Sequence, residues 1–522
     1  MAAAVPTPPD TDLMTPRQRG VAMFLCLVTI VLAVLDMNIV SAASVPIVRD
    51  LDPVHGVDRL PWLISAFALA ATALLPLYGK LCDSYGAKRV LLGAVAVFTL
   101  GSALCGAAQS MTELIAFRAL QGIGGGGLMS VTMVVIAQLK GPDEGPGAKG
   151  SAKGSAKGSA MGGIVAGLGM SIGPLAGALL TEHVSWRWIF YVNLPLCLVV
   201  LVGVALAIRL PKAAGRGGLD FLGSALAAAF AVGLLLVTEW GGKDYAWGSP
   251  TILGLGAATL AALGLFLWRQ AVAAAPVLPL SLFRIPTVRL GFAIQGLTGM
   301  GMIGAIVQVM LYLQIGRGVA PTTASLYLIP MALGMTVSGL GVGKLLARGH
   351  SVSTFLLAGA GCSAVALQLL GLSGPDTPLW TLMAELALLG AGLGQLIGQL
   401  IAVVQQAAPQ RQLGVATTGI RFFQNLGNAL GASVFGTLLS RVYEDGEPRL
   451  PVGAVSSLTG AARDHAVRSF TDAVDVVFLA GGGVMVLVTL LVWRLRVVAG
   501  ANLDGGGARE AAATEERVAV AA

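Results

Sequence analysis

The stretch FRALQGIGGGGLMS (117–130) contains the spacing G-x-G-x-x-G at Gly122, Gly124 and Gly127. This spacing binds a dinucleotide when it follows a β-strand, opens a helix and precedes an acidic residue by about 20 positions. Here the glycines lie inside one apolar run, no strand pattern precedes them, and the next acidic residue is Asp143. Small residues also allow membrane helices to pack closely. The pattern therefore favours helix packing over nucleotide binding. It does not explain Arg118, the second residue of the stretch.

The composition of the chain excludes a soluble protein. Of its 522 residues, 56% are hydrophobic and 11% are charged, whereas soluble domains are about 25% charged. The net charge of +7 does not indicate nucleic-acid binding, because the basic residues are spread through short loops. Five scattered cysteines and four histidines show no metal-ligand spacing, so we expect no metal site. The composition predicts an all-α polytopic membrane protein.

A membrane-spanning helix needs about 20 mostly apolar residues. Fourteen runs of this kind follow one another, at 20–43, 60–79, 90–108, 112–139, 161–180, 187–209, 219–240, 250–270, 287–313, 322–347, 353–373, 378–407, 413–440 and 473–497. Most of the 33 Lys and Arg residues fall on one side of the membrane if both termini are cytoplasmic, which is the orientation that the positive-inside rule favours. The connection 441–472 is then a long outer loop. The repeat AKGSAKGSAKGSA at 148–160 has the composition of a flexible inner linker.

A faint internal repeat suggests how the runs are grouped. YGKLCDSYGAKR follows the second run and VGKLLARGH follows the tenth, and both sequences carry Gly-Lys-Leu before basic residues. Many secondary transporters are built from such repeated halves. The predicted domains are a cytoplasmic tail (1–19), a six-helix half (20–209), two linker helices (210–286), a second six-helix half (287–497) and a disordered cytoplasmic tail (498–522).

Arg118 lies inside the hydrocarbon layer, where an arginine normally faces a partner or a water-filled cavity. Asp36 in the first run is a candidate partner. Asp36 follows Gly20 by sixteen residues, or about 24 Å of helix from the inner face. Arg118 lies about 7–8 Å below the outer face of a bilayer about 30 Å thick. The two depths agree, as a pair of opposite charges requires.

Such a pair offers a means of coupling protons to transport. Burial raises the pKa of an aspartate and a neighbouring arginine lowers it. A movement of the arginine, or of the water access, would therefore switch Asp36 between its charged and protonated forms. The alternative is a permanent ion pair that only fixes helix packing.

The chain resembles the major facilitator superfamily, and in particular its fourteen-helix drug:proton antiporter branch. GKLCDSYGAKR is similar to the loop motif between the second and third helices, and RALQGIGGG is similar to the fourth-helix motif. LDMNIVSAASVP, WRWIFYVNLP and LPLSLFR also match this branch. The resemblance assigns a gating-loop role to Gly79, Asp83, Gly86, Lys88 and Arg89. It implies a fold of two six-helix halves with two extra central helices.

A further match concerns GLGMSIGPLAGA in the fifth run, which resembles the antiporter motif through Gly169, Gly173, Pro174 and Gly177. That motif is associated with exporters more than with importers. A Gly-Pro kink and a thin helix face allow the two halves to pivot.

These observations predict a proton-coupled antiporter that exports amphipathic, cationic or aromatic drugs or antibiotics across the cytoplasmic membrane by alternating access. We expect Asp36 and Arg118 to carry the coupling, with the proton gradient as energy source, no cofactor, lipid contacts and a monomeric state. A dedicated exporter of one endogenous metabolite or antibiotic is the alternative. A channel or a membrane enzyme is a remote one, because the sequence shows no nucleophile–base pair and no filter-like repeat.

Further polar residues in the apolar runs are candidates for the substrate cavity. In the run 413–440, four of them recur at helical spacing near the membrane midplane, which is the depth of transporter sites: Arg421, Gln424, Asn425 and Asn428. Interhelical hydrogen bonding without substrate contact is the alternative for this stripe. We also expect Asn38 and Gln121 to line the cavity.

Glu385 shares a rough helix face with Gln395 and Gln399. An acid in lipid indicates contact with a cationic substrate or a second proton site. A position near the outer mouth of the transporter is the alternative.

Overall fold

The computed structural model describes residues 14–52, 56–139, 177, 179–210, 218–242, 244–319, 321–348, 350–374, 377–446 and 460–503. Within these ranges the regular structure is helical, apart from one isolated β-bridge between Gly241 and Tyr245. The prediction of an all-α fold is confirmed.

The described part of the chain up to residue 210 forms α1 (Pro16–Ala42), α2 (Ser44–Leu51), α3 (Gly56–Ala73), α4 (Leu75–Tyr85), α5 (Ala87–Ala107), α6 (Met111–Leu139), α7 (Trp188–Tyr191) and α8 (Asn193–Ala207). The next segment forms α9 (Phe221–Trp240), α10 (Pro250–Val272) and α11 (Ser281–Arg284). The remainder forms α12 (Pro286–Leu311), α13 (Pro321–Leu326), α14 (Ile329–Ala347), α15 (Val352–Leu370), α16 (Leu379–Ala407), α17 (Leu413–Gly446) and α18 (Gly460–Leu503), with a π-helical turn at Tyr312–Gly316.

Eleven described helices are long and apolar enough to span a membrane, and the number is twelve if α3 and α4 count as one bent span. The predicted run 413–440 does form a helix, α17, but it does not appear among these spans. Most of the predicted run 161–180 lies outside the described residues. The number fourteen and the cytoplasmic position of the termini therefore remain predictions.

The second span is bent by 41° between α3 and α4. Pro76 lies in the first turn of α4. Proline has no N–H, and its ring crowds the carbonyl group four residues earlier, which here belongs to Thr72. Pro76 therefore interrupts the helix at this point. The bend thus has a local cause in the sequence.

The expected outer loop 441–472 is largely helical, so that part of the prediction is wrong. α17 continues to Gly446 and α18 already begins at Gly460, and 447–459 lies outside the described residues. The polar residues near these two ends made them look like a loop. The two helices extend beyond the apolar runs that predicted them.

The two halves repeat one packing pattern. In the first half α6 packs against α3 and α5, and α8 packs against α1 and α5. In the second half α16 packs against α14 and α15, and α18 packs against α12 and α15. α17 contacts α4 and α6 of the first half, and α9 lies against α10, α3 and α17.

Large apolar side chains cover the outside of this helix assembly. Leu206, Phe221 and Trp380 are each more than 70% exposed. Apolar surface of this extent is favourable in contact with lipid and unfavourable in water. The molecule is a multi-pass membrane protein.

Candidate functional site

A buried ion pair lies in the first half, between α1 and α6. Arg118 donates from Nη1 to Oδ2 of Asp36 over 2.9 Å. Asp36 is fully buried and Arg118 is 1% exposed. The structure therefore brings together the two charges that were paired by depth alone.

Two amides complete the environment of the Asp36 carboxylate. Gln121 and Asn193 each donate from the side-chain nitrogen to Oδ1 of Asp36, over 2.8 Å in both cases. Gln121 also donates to Oγ of Ser102 over 2.7 Å and accepts from Nη1 of Arg118 over 2.7 Å. Gln121, which we predicted as a cavity residue, is thus part of the ion-pair network. We call the set of Asp36, Ser102, Arg118, Gln121 and Asn193 the Asp36 network.

Sequence reasoning missed Asn193 and Ser102. Both are fully buried polar residues within apolar runs. A buried amide or hydroxyl group in a membrane requires a partner. That requirement was the available signal, but it does not say which partner each residue finds.

Arg118 is also held by groups outside the Asp36 network. Its Nε donates to the carbonyl oxygen of Leu63 on α3 over 3.1 Å. Its guanidinium carbon lies 4.3 Å from the ring centroid of Phe67 and 6.0 Å from that of Phe190. A cation over an aromatic face is stabilised electrostatically, and more strongly when water is absent. The charge of Arg118 is therefore stabilised by a carboxylate, a backbone carbonyl group and two aromatic rings.

The glycines after Arg118 serve helix packing. A Cβ atom at Gly122 would collide with the carbonyl oxygen of Phe67 on α3, and one at Gly124 would collide with the backbone nitrogen of Phe98 on α5. Both neighbouring helices therefore approach α6 at backbone distance. This close approach brings Leu63 and Ser102 within reach of the polar side chains of α6.

The predicted gating loop joins the two halves at the side that the basic loops assign to the cytoplasm. Asp83 accepts hydrogen bonds from the backbone N–H groups of Gly414, over 2.7 Å, and Val415, over 3.0 Å. These groups belong to the first turn of α17, where N–H groups lack partners within the helix. A Cβ atom at Gly79 would collide with Thr418. We call this contact between α4 and α17 the cytoplasmic latch.

The other loop residues act within the first half. Gly86 has φ +90°, a conformation that favours glycine, and it connects α4 to α5. Lys88 donates from Nζ to the carbonyl oxygen of Ala205 near the end of α8 over 2.8 Å, and Arg89 is exposed. Neither Lys88 nor Arg89 forms a contact with the second half among the interactions of the described residues.

The residues of the predicted polar stripe of α17 contact different partners. Nη1 of Arg421 donates to Oε1 of Gln424 over 2.7 Å. Asn425 donates to Oγ1 of Thr72 in the first half over 2.9 Å. Asn428 lies against α12, where its Oδ1 would be 2.9 Å from a Cβ atom at Gly299. Asn425 thus forms an interhelical hydrogen bond, which is the alternative given for this stripe.

The predicted residues of α16 lie at different depths. Glu385 accepts hydrogen bonds from the hydroxyl of Ser373, which follows α15 near the outer end of the bundle. This contact favours the alternative position near the outer mouth. Gln399 is 1% exposed, and neither polar atom of its amide has a partner among the described residues.

Some predicted site residues lie outside the described part of the chain. Gly169, Gly173 and Pro174 of the antiporter motif are among them, whereas Gly177 is described and buried. Asn38 lies in α1, but its side chain is outside the described part. The described residues contain no cluster of metal-ligating side chains.

An exposed ion pair links two segments of the first half. Asp50 of α2 accepts hydrogen bonds from Nε1 of Trp186, over 2.9 Å, and from Nη1 of Arg187, over 2.6 Å. These two hydrogen bonds lower the pKa of the Asp50 carboxyl group below its usual value. The pair links α2 to the segment before α7.

Comparison with known proteins agrees with this architecture. A sequence model of the Major Facilitator Superfamily matches residues 25–432. An uncharacterized MFS-type transporter of Mycobacterium tuberculosis is 33% identical over 95% of this chain and 73% of its own length. The multidrug transporter protein MdtP of Bacillus subtilis is 32% identical over 78% of this chain and 72% of its own length.

A solved structure shows the same fold. The human organic anion transporter MFSD10 (TETRAN) aligns with a TM-score of 0.61, over 92% of this chain and 100% of that chain. At 17% identity the likeness concerns the fold alone. With a family match over most of its length and relatives more than 30% identical, this chain belongs to the Major Facilitator Superfamily.

Proposed function

We propose that this transporter is a proton-coupled antiporter that exports amphipathic drugs or antibiotics across the cytoplasmic membrane. The observation that carries the proposal is the fully buried ion pair of Asp36 and Arg118. Ionisable residues inside the membrane cost free energy, and they therefore usually mark functional sites. The names of relatives support the substrate class, as a multidrug transporter, and the direction of transport, as an efflux pump.

The Asp36 network supplies the chemistry of coupling. Protonation of Asp36 would remove the counter-ion of Arg118, and the loss of one partner of a buried pair costs about 3–5 kcal/mol. Arg118 would then require other partners or water. A proton is therefore bound favourably only if the helices around the pair rearrange, and this requirement links proton binding to a change of conformation.

The cytoplasmic latch supplies the second element of alternating access. In the described conformation α4 and the start of α17 are in contact, so the halves are closed on that side. Opening toward the cytoplasm must break the contacts of Asp83 and separate Gly79 from Thr418. Export would follow from alternation between this closed state and one in which the latch is open.

An accumulation assay in an efflux-deficient bacterial host tests the proposal. Ethidium, Nile red and fluorescein provide cationic, neutral and anionic amphipathic probes. The wild type should lower the accumulation of at least one probe, and a protonophore should abolish the effect. Asp36→Asn should lose export at equal expression, and Asp50→Asn should retain it as the matched control. Unchanged export by Asp36→Asn against a gradient would remove Asp36 from the coupling step.

A further inference from the structure

Arg118 and Arg421 both lie within predicted apolar runs, and their environments are opposite. Arg118 has an acidic partner at 2.9 Å, a backbone carbonyl and an aromatic face. Within the described part of the chain, Arg421 forms one side-chain hydrogen bond, to the neutral amide of Gln424. None of the ion pairs found among the described residues includes Arg421. The charge of Arg118 is compensated by an acidic side chain, whereas no acidic side chain of the described residues pairs with Arg421.

Arg421 lies where the two halves meet. It follows the start of α17 by eight residues, or about 12 Å of helix. Three residues before it, Thr418 packs against Gly79, and four residues after it, Asn425 bonds to Thr72. Positions three and four apart share a helix face. Arg421 therefore lies on the side of α17 that meets the first half, between a contact with α4 at Gly79 and a contact with α3 at Thr72.

One edge of the Arg421 guanidinium has no hydrogen-bond partner among the described residues. Nη1 is engaged by Gln424, while Nε is buried and has no partner among the described residues. No hydrogen bond of the described residues uses Nη2 of Arg421. Nε and Nη2 are the parallel donors of one edge of the fork, the geometry that binds a carboxylate through two hydrogen bonds. Arg421 as a whole keeps part of its surface accessible, although it lies deep in the helix assembly.

No acid of the described residues forms an ion pair with Arg421, and this includes Asp475 of α18, which has one buried carboxylate oxygen without a hydrogen-bond partner. Asp36 is engaged by Arg118, and Glu385 is engaged by Ser373 near the outer end. The sequence 145–176, the second half of which belongs to the predicted fifth span, contains no Asp or Glu. A charge in such surroundings is costly unless a counter-ion is supplied. The counter-ion must therefore come from outside these acids.

We propose that Arg421 binds the anionic group of the transported molecule, so that amphipathic carboxylates and sulfonates are substrates. This inference rests on the proposed export function and names the substrate class of the same cavity. It replaces the cationic class that we expected from the sequence. Gln424 holds the guanidinium by Nη1 and leaves the Nε–Nη2 edge for the ligand.

Binding of three matched probes to the purified protein tests the inference. The probes are 2-naphthoate, 2-naphthamide and 2-naphthylmethylammonium, which share one aromatic body and differ in charge. The protein is held in phosphatidylcholine, so that no anionic lipid headgroup competes. The wild type should bind 2-naphthoate at least tenfold more tightly than the other two probes. Arg421→Gln should lose this preference, and Arg411→Gln, at an exposed arginine, should keep it.

Stability without ligand provides the second readout. Because Arg421 is uncompensated, Arg421→Gln should unfold at the same temperature as the wild type or higher. A large drop in its unfolding temperature would show a protein partner for Arg421 and overturn the inference. Equal binding of the three probes by the wild type, no binding of 2-naphthoate, or a preference that survives in Arg421→Gln would also overturn it.

The accumulation assay separates this inference from the proposed function. Protonophore-sensitive export without any preference for 2-naphthoate contradicts the role of Arg421 alone. A preference for 2-naphthoate that depends on Arg421, in a protein that exports no probe from cells, contradicts the proposed function alone.

Discussion

Replacement of Asp83 by asparagine should open the cytoplasmic latch. The carboxylate of Asp83 accepts two backbone hydrogen bonds from the first turn of α17, over 2.7 and 3.0 Å. Asparagine has nearly the same size, but it carries no charge and has only one acceptor oxygen. The variant therefore loses one hydrogen bond, weakens the other and loses the interaction with the helix dipole.

The magnitude follows from these contacts. A hydrogen bond to a charged group contributes about 1.5–3 kcal/mol, and a charge at a helix N-terminus contributes about 0.3–1 kcal/mol. Because Asp83 is partly exposed and asparagine keeps one hydrogen bond, we expect a net loss of about 2 kcal/mol. Since 1.4 kcal/mol is a factor of ten, the population of the closed state should fall about 30-fold relative to the open state.

Distances between spin labels measure this population. Labels at Tyr85→Cys, at the end of α4, and at Arg411→Cys, before α17, report the separation of the halves in a background without the native cysteines. Asp83→Asn should shift the distribution to long distances, and Asp50→Asn, a change of the same kind at the outer end, should leave it unchanged. If Asp83→Asn keeps the distribution of the parent protein, the hydrogen bonds to α17 do not hold the latch closed.

Three further predictions concern stability in detergent. Asp36→Asn and Arg118→Met should each lower the unfolding free energy by about 3–5 kcal/mol, and the double variant should lose less than the sum, which a double-mutant cycle measures. Gly122→Val should lower the unfolding temperature by overpacking, whereas Gly93→Val, at a position with nothing within 4 Å, should leave it unchanged. The Asp50 ion pair should stabilise the protein at every pH above about 4 and lose this effect as pH falls through the lowered pKa of Asp50. Thermal unfolding of the wild type and Asp50→Asn at several pH values measures whether their difference in stability disappears at low pH.

The sequence predicted the fold well because the membrane limits the choices. An apolar run of sufficient length must form a helix in lipid, so run lengths alone located most spans. Helix ends were less accurate. α18 begins at Gly460, well before its apolar run, because water-exposed turns of a helix carry no hydropathy signal.

The candidate site was predictable only in part. The rise per residue of a helix placed Asp36 and Arg118 at the same depth in the membrane. Few other charged residues lie inside the apolar runs, so each was the natural candidate partner of the other. Asn193 and Ser102 share the depth of many other residues. Only tertiary packing brings Asn193 to the carboxylate and Ser102 to the amides of Gln121 and Asn193. The direction of each residue in the α17 stripe likewise depends on how α17 contacts both α4 and α12, and spacing along one helix cannot supply that.

Parallel recording of proton and substrate flux in proteoliposomes tests the central claim most directly. With an exported probe and a pH-sensitive dye, the wild type should move protons opposite to the substrate. Asp36→Asn should still exchange the probe down its gradient while moving no protons with it. If Asp36→Asn transports protons and substrate in the wild-type ratio, the buried pair of Asp36 and Arg118 does not couple them.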